Sequence, residues 1–422
     1  MANIKEKIKK NLQDNLDEKT IKKLLKVMGS WPLISFYGTM FSSVSDKYLN
    51  IISIKNIKRA YLDNSNLAYG SLFLPYELFH GLGLSPFLPE VMAGFTAGMG
   101  ISAKTLKKAS SGWYSQDLCT FHRSASGAVD MSLFPKPKFI ICSNIACDAA
   151  QKSFYIYAKK FAISDSYYLI DVPYSENESS FKYLSAQLEN IFYEISSKKK
   201  VKPDIGRLKK AILLSNEFRH WALKINEVRK ELTNYPKDFN GLNFILPFFS
   251  LNGSKEGVLL YKKMYQELKD FNENKPKKKI KKILWLHLKP YYRNEIFDIL
   301  EKYGLKVVFE EINHIYWQEM DPDRPFESLA KKMMSNFLNG PSDSRIKVID
   351  KLIEEYDIDG VILFAHWGCR QSNGSIRIIK DEVKKHNIPI LVLDGDCVDI
   401  KNSSVGQIKT RVEGFAEIVS SG

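Results

Sequence analysis

Short apolar runs alternate with amphipathic helical patterns in two separate parts of this 422-residue chain. The first part has apolar runs at 139–142 and 168–172, with helical spacing at 149–161 and 180–195. The second part has apolar runs at 283–286, 306–309, 360–364 and 390–393, with helical spacing at 295–303, 376–386 and 405–419. A strand–helix–strand order predicts parallel sheets covered on both faces. The sequence therefore predicts an α/β fold with two Rossmann- or flavodoxin-like parallel-sheet domains.

The remaining segments divide the chain into four predicted regions. Apolar residues between 12 and 28 recur at helical spacing, which indicates an N-terminal helical region at 1–60 that covers a neighbouring domain or a partner subunit. The first α/β domain is predicted at 61–200 and a helical connection at 201–280. A basic, proline-containing stretch at 274–279 marks the boundary to a second α/β domain at 281–422.

The charge pattern bears on the class of binding partner. The formal charge of +14 lies largely in short lysine clusters, such as 198–200 and 275–282, without interleaved aromatic residues or a known binding motif. This arrangement is typical of solvated surface and predicts no nucleic-acid partner. No apolar run approaches the roughly 18–20 residues of a membrane span, and the charged N-terminus does not resemble a secretion signal. We therefore predict a cytoplasmic protein that does not bind membranes.

Five cysteines are the main candidates for chemistry: Cys119, Cys142, Cys147, Cys369 and Cys397. An odd number argues against a disulfide framework and for a reducing compartment. Cys147 and Cys369 follow predicted strands of different domains, and Cys119 precedes the strand that leads to Cys147. Because α/β sheets bind ligands beyond the carboxyl ends of their strands, we expect these three thiols to meet at the domain interface.

Spacing alone leaves several chemistries open for these cysteines. Paired zinc-binding motifs and the four-cysteine ferredoxin spacing are both absent from the sequence. Three cysteines would leave one metal position open, as catalysis requires. Buried inert cysteines and a nucleophilic cysteine are the alternatives.

Several sequence segments, in this order, resemble one known family. They are LPYEL at 74–78, LPE at 88–90, CTFHRSASG at 119–127, ICSNIACD at 141–148, HWGCRQSNG at 366–374, DGD at 394–396 and QIKTRVEGF at 407–415. From about residue 68 to the C-terminus the chain resembles the 2-hydroxyacyl-CoA dehydratase family, which includes benzoyl-CoA reductase subunits and double-cubane-cluster proteins. Each segment alone is unspecific, but the combination and its order are specific.

The resemblance implies a cofactor and its ligands. Cys119, Cys147 and Cys369 match the family cysteines that hold a 4Fe-4S cluster, whose fourth position takes water, hydroxide, sulfur or substrate. Glu90 matches a carboxylate near the active cluster and is the candidate catalytic acid or base. The family serine ahead of the Pro-x-Glu segment is replaced by Leu72, with Ser71 adjacent. Five cysteines are too few for a double cubane.

The resemblance also implies a reaction and partners. An ATP-hydrolysing iron–sulfur activator would deliver a low-potential electron for radical elimination of water from a 2-hydroxyacyl-CoA, and a homologous subunit would complete a hetero- or homodimer. One alternative is a homodimeric ATP-dependent reductase of small molecules that binds no coenzyme A. A second is an electron-relay subunit without an active site, and a weaker third is a zinc-bound or metal-free binding protein.

Six further residues have less specific interpretations. His366 either donates a hydrogen bond to the cluster or packs in a loop, and Arg370 either neutralises cluster charge or pairs at the surface. The others are predicted to be structural: Cys142 in a strand core, Cys397 at a position that is harder to assign, and Asp396 and Arg411 as helix–loop scaffolding.

Overall fold

The computed structural model describes residues 17, 19–22, 43–112, 114–232, 248–274 and 280–421. It contains two four-stranded sheets in these residues, and every strand pair is parallel. The first sheet has the order β2-β1-β3-β4, from β1 Leu67–Gly70, β2 Ser85–Phe87, β3 Phe139–Ser143 and β4 Tyr167–Ile170. The second has the order β6-β5-β7-β8, from β5 Lys281–Leu286, β6 Leu305–Glu310, β7 Gly360–His366 and β8 Ile390–Gly395. The predicted α/β class with two parallel sheets is confirmed.

Helices connect and flank the strands. In the first half they are α1 Val44–Leu62, α2 Tyr76–Gly81, α3 Pro89–Gly98, α4 Ser102–Ser110, α5 Thr120–Asp130, α6 Asp148–Lys160 and α7 Glu178–Lys198. The chain segment that connects β4 to β5 contains α8 Ile205–Glu231 and α9 Lys255–Asn274 as well. The second half has α10 Ile296–Lys302, α11 Pro325–Met334, α12 Ser342–Tyr356, α13 Arg370–Gly374, α14 Ile376–Lys385 and α15 Val405–Ser421. No helix among the described residues is long and apolar enough to cross a membrane.

Local sequence signals set most of these boundaries. The predicted helices at 149–161, 295–303 and 376–386 are α6, α10 and α14, each shifted by no more than one residue at either end. Gly304 follows α10 with φ of 77°, a left-handed conformation that suits glycine after a helix end. Most of the predicted helix at 12–28 lies outside the described residues. Within this segment the structure describes residues 17 and 19–22, and residues 19–22 are helical.

Two hydrophobic clusters lie on opposite faces of the strands and join the two sheets. Alternate strand residues point to opposite faces. Accordingly, Ala68 and Leu284 belong to one cluster, whereas their neighbours Tyr69 and Trp285 belong to the other. Each cluster therefore contains residues of both sheets. The division into four regions stays a prediction, although all strands fall within the two predicted α/β regions.

The strand order places a crevice at the same point of each sheet. β1 lies between β2 and β3, and β5 lies between β6 and β7, so successive connections leave these central strands in opposite directions. Ligands of open α/β sheets bind at such switch points, beyond the carboxyl ends of the strands. The segments after β1, β3, β5 and β7 are therefore where a site is expected.

Candidate active site

A cavity of about 110 Å³ lies beyond these strand ends. We call it the inner cavity. Segments following all four central strands line it: 71–73 after β1, 145–147 after β3, 287–288 after β5, and Cys369 after β7. Cys119, which precedes α5, lines the same cavity. The expectation that Cys119, Cys147 and Cys369 meet between the two sheets agrees with this arrangement.

A second opening reaches the same three thiols from the other side. This outer cleft has a volume of about 890 Å³ and runs between the segments at 144–152 and 337–342. Cys119, Cys147 and Cys369 line both the inner cavity and the outer cleft. The thiols therefore lie at the border between an enclosed space and an open one.

Each of the three cysteines directly precedes a helix. Cys119 is the N-cap residue of α5, Cys147 of α6 and Cys369 of α13. None of the three side chains accepts a capping hydrogen bond, but backbone N–H groups of the following helical turn lie near each sulfur and act to lower its pKa, as those of residues 121 and 122 do for Cys119. Such N–H groups stabilise negative charge on sulfur, as metal ligation requires.

Backbone conformation brings two of these loops into contact. Gly368 has φ of 79°, and a Cβ on it would lie 2.8 Å from the backbone N and Cα of Cys119. Only glycine permits this approach, which brings the loop after β7 against the start of α5. Ala146, just before Cys147, also has a positive φ of 57°. Strained residues of this kind cluster at functional sites.

A histidine accompanies each of the three thiols. The Nε2 atom of His366 lies 3.2 Å from Cys119 Sγ, and that of His122 lies 3.2 Å from Cys147 Sγ. The Nε2 atom of His287 lies 3.4 Å from Cys369 Sγ. Spacing along the sequence does not indicate these pairs, because His366 and Cys119, for example, are 247 residues apart.

The hydrogen bonds of His366 define its tautomer. The backbone N–H of Cys397 donates to His366 Nδ1 over 3.1 Å, so the proton of the neutral ring lies on Nε2 and points at Cys119 Sγ. Burial lowers the pKa of His366 to about 4, which keeps the ring neutral at physiological pH. His366 is therefore a hydrogen-bond donor to the sulfur of Cys119, and its predicted donation to a cluster stays a prediction.

His287 has the opposite tautomer. Its Nδ1 lies 3.2 Å from the carbonyl oxygen of Phe364 and donates to it, so Nε2 accepts from the thiol of Cys369. Burial lowers the pKa of His287 to about 3. The backbone N–H of His287 donates to Glu311 Oε2 over 2.9 Å, which holds the residue in its left-handed conformation with φ of 67°.

The surroundings keep the thiols protonated when no metal is bound. Burial, with the neighbouring thiols next, raises the pKa of Cys119 well above its ordinary value. Burial also raises the pKa of Cys147 to about 12, with Glu90 adding to the effect, and raises the pKa of Cys369. A nucleophilic cysteine needs a lowered pKa, so these thiols do not fit that alternative. Metal ligands with raised pKa values release their protons on binding.

The donor set fits some metal groups and not others. Within the described ranges, no three His, Cys, Asp or Glu side chains are placed to bind one metal ion, so the set does not fit mononuclear zinc. Three thiols bordering one cavity, with the N–H of His366 directed at one sulfur, fit the ligand chemistry of an iron–sulfur cluster. The cluster itself stays a prediction.

Glu90 lies in the first turn of α3 and faces the inner cavity. Its Oε2 accepts from the backbone N–H of Leu72 over 3.0 Å, and its Oε1 lies 3.8 Å from His122 Nε2. The side chain is buried, and burial raises its pKa above the usual range for glutamate. Glu90 is therefore a buried residue of the inner cavity. Its catalytic role stays a prediction.

Ser71 precedes Leu72, which stands where the family has a serine, and the hydroxyl of Ser71 accepts a backbone hydrogen bond. The N–H of Ser143 donates to Ser71 Oγ over 3.1 Å, which joins the ends of β1 and β3. Leu72 presents its N–H to Glu90, and its side chain lines the cavity. The segment after β1 thus contributes a buried serine, an apolar side chain and one backbone donor.

The residues predicted to be structural lie outside the inner cavity. Asp396 Oδ1 accepts from Thr120 Oγ1 and from backbone N–H groups of its own loop, and Arg411 bonds Asp394 and the carbonyl oxygen of Val392. Cys142 and Cys397 are fully buried. Arg370 is exposed in the outer cleft.

Two histidines and an arginine at the site were not predicted from the sequence. His287 directly follows β5, so the same strand-end rule that selected the cysteines would have found it. His122 lies within the matched segment at 119–127. Arg345 comes from α12 and lines both openings, and no local sequence signal indicates this position.

Comparison with known proteins settles the family. The sequence model of "2-hydroxyglutaryl-CoA dehydratase, D-component" matches residues 71–419, a span that includes the three cysteines and Glu90. The chain belongs to this family. Membership confirms the resemblance seen in the sequence and the predicted class of enzyme, a dehydratase-like hydro-lyase.

Three relatives with assigned names are each 23% identical to this chain. They are the (R)-phenyllactyl-CoA dehydratase alpha subunit of Clostridium sporogenes (82% of this chain, 87% of the relative), a benzoyl-CoA reductase subunit of Thauera aromatica (79% and 83%) and the (R)-2-hydroxyisocaproyl-CoA dehydratase alpha subunit of Clostridioides difficile (89% and 94%). Two are named as dehydratases and one as a reductase. All three are named as subunits of larger enzymes.

Proposed function

We propose that this chain is the 4Fe-4S cluster-bearing subunit of a 2-hydroxyacyl-CoA dehydratase-like enzyme. Cys119, Cys147 and Cys369 would hold the cluster, and the convergence of these three thiols on one cavity is the observation that carries the proposal. When bound, the cluster would supply the low-potential electron chemistry that makes radical elimination of water from a 2-hydroxyacyl thioester feasible.

The chain's own residues would bind, orient and protonate. The N–H of Leu72 holds one oxygen of Glu90, so the other oxygen remains available for proton exchange with substrate. The raised pKa of Glu90 suits a general acid, because more of the carboxyl stays protonated near neutral pH. The apolar walls of the inner cavity would exclude water from the reacting groups.

The same proposal includes partners. The relatives are subunits, so we infer a homologous partner subunit for this chain. An ATP-hydrolysing iron–sulfur activator would deliver the electron, and the cytoplasm is the compartment in which free thiols and such a cluster persist. An acyl-CoA is the proposed substrate.

Metal analysis of cysteine variants tests the cluster. The protein is purified without oxygen and its iron and acid-labile sulfide are measured, with about four of each expected per chain. Replacement of Cys119, Cys147 or Cys369 by serine is expected to remove most of the iron. The matched controls Cys142→Ala and Cys397→Ala remove buried thiols outside the cavity and should retain it.

Two results would contradict the proposal. One is a wild-type protein that holds no iron or sulfide after anaerobic reconstitution. The other is equal loss of iron in the control variants and in the three ligand variants, since this would show a general loss of folding.

A reductase is the second candidate, because one relative is named as a subunit of benzoyl-CoA reductase. Product analysis separates the two functions. A dehydratase converts a 2-hydroxyacyl thioester to an enoyl thioester without net reduction, whereas a reductase consumes electrons in proportion to product. Electron consumption matched to product would favour the reductase.

A further inference from the structure

The walls of the inner cavity are mainly hydrocarbon. Side chains from four segments of the fold line it, among them Leu72, Phe73, Val91, Phe249 and Ile312. The rings of Phe73 and Phe249 meet edge to face, with centroids 5.3 Å apart. A cavity with such walls binds benzene in another protein, so the apolar wall of the inner cavity suits a small apolar group.

Positive charge in the cavity is already neutralised. Among the described lining residues, Arg345 is the one Lys or Arg. Its Nε and Nη2 donate to the two carboxylate oxygens of Glu311 over 2.6 and 2.8 Å, and its Nη1 donates to Ser375 Oγ over 3.0 Å. Arg345 and Glu311 are both almost fully buried, with 4% and 1% exposure. Three of its five N–H groups are thus engaged, and Glu311 neutralises its charge.

The imidazole rings at the cavity do not offer their Nε2 edges to an anion either. The Nε2 atoms of His366 and His122 lie 3.2 Å, and that of His287 lies 3.4 Å, from a cysteine sulfur, so each is already engaged with a thiol. Glu90 adds a carboxyl group that repels an anion when ionised. A second carboxylate placed here would be buried and unpaired, a state that is strongly unfavourable.

The outer cleft differs from the inner cavity in its exposed charges. Lys152 and Arg370 line it together with Asp117 and Asp148, all four exposed, and Asn144 adds a polar side chain. A long polar carrier fits this open side, where the two basic side chains would contact its phosphates. Since the thiols border both spaces, a thioester bound at them would direct its acyl chain inward and its carrier outward.

We propose that the inner cavity is an acyl-selectivity site that accepts 2-hydroxyacyl thioesters with an uncharged, branched or aromatic acyl chain and rejects those with a second carboxylate. This inference rests on the proposed function and narrows its substrate class. It sets this chain apart from the reaction after which its family is named, since a 2-hydroxyglutaryl group carries that second carboxylate.

Direct binding is the test, because it does not depend on turnover. The anaerobically purified, iron-loaded protein, with any subunit that copurifies, is titrated calorimetrically with 2-hydroxyisocaproyl-CoA, 2-hydroxyglutaryl-CoA and free coenzyme A. We expect the uncharged thioester to bind at least about 100-fold more tightly than the dicarboxylic one. A tenfold change in the dissociation constant corresponds to about 1.4 kcal/mol, and burying an unpaired charge costs several times that.

A charge variant checks the reason for the preference. Glu311→Gln leaves Arg345 without its counterion, so the preference for the uncharged thioester should fall at least tenfold. Glu327→Gln is the matched control, because it changes an exposed glutamate that pairs with Arg324 at 3.4 Å, and it should keep the wild-type preference. Circular dichroism confirms folding, and if Glu311→Gln does not fold, the wild-type comparison decides alone.

The outcomes separate the two proposals. Equal or tighter binding of 2-hydroxyglutaryl-CoA would overturn the selectivity and leave the proposed function intact. If iron-loaded protein binds neither thioester, the proposed function fails and the selectivity fails with it.

Discussion

The buried ion pair between Glu77 and Lys332 provides a quantitative test of how the two halves are joined. Glu77 lies in α2 and Lys332 in α11, and Lys332 Nζ lies 2.5 Å from Glu77 Oε1. Both side chains are almost completely buried, with 0% and 5% exposure. Ser215 Oγ also donates to Glu77, and Lys332 Nζ lies 4.3 Å from the ring centroid of Trp317.

Removing either charge leaves the other one buried without its partner. Lys332→Met also removes the cation–π contact, so we expect it to lower the free energy of unfolding by about 3–5 kcal/mol. Glu77→Gln leaves the ammonium group unpaired, with a similar expected cost. The double variant has no buried charge, and its cost should fall short of the sum of the single costs by at least about 2 kcal/mol.

Chemical denaturation followed by circular dichroism measures the four free energies of unfolding. Lys331→Met is the matched control on the same helix, because Lys331 is exposed, and its cost should stay within about 0.5 kcal/mol. If the cost of the double variant equals the sum of the two single costs within about 0.5 kcal/mol, the reasoning that these charges depend on each other is refuted.

Three further predictions follow from the packing and the site. Gly127→Ala in α5 would place a Cβ onto the backbone carbonyl of Thr105 and should lower the free energy of unfolding by about 3 kcal/mol or more, whereas Gly414→Ala, with no atom nearby, should be neutral or stabilising in the same denaturation assay. Glu90→Gln should retain iron but lose about 10²–10⁴-fold in turnover, and unchanged turnover would favour the electron-relay role. His366→Ala removes the N–H donor to the thiolate of Cys119, so it should lower the cluster's reduction potential by several tens of mV in a redox titration. For one electron, 59 mV corresponds to about 1.4 kcal/mol, and an unchanged potential would contradict the donor role.

Repeating apolar patterns in the sequence determined the fold class. Buried strands such as β3 and β7 read as continuous apolar runs because both faces of a parallel sheet are covered, and β7 is buried at every position. The end of a helix at Gly304 and the ends of the strands before the cysteines depend on nearby residues, so the sequence shows them directly. The placement of Cys147 and Cys369 followed from the strand-end rule.

Which side chains meet at the thiols was decided by the tertiary structure. The pairing of each cysteine with a histidine depends on which loops the strand order brings together, and no local period encodes that order. The state of Arg345 also depends on the fold: its sequence position shows a basic residue on a helix, but only the structure shows Glu311 pairing with the Nε and Nη2 edge of its guanidinium. Apolar patterning is local and repeats along the chain, whereas charge neutralisation and tautomer depend on contacts between distant segments. The sequence therefore determined the sheets and the candidate thiol ligands, and the tertiary structure determined the electrostatics of the cavity that they border.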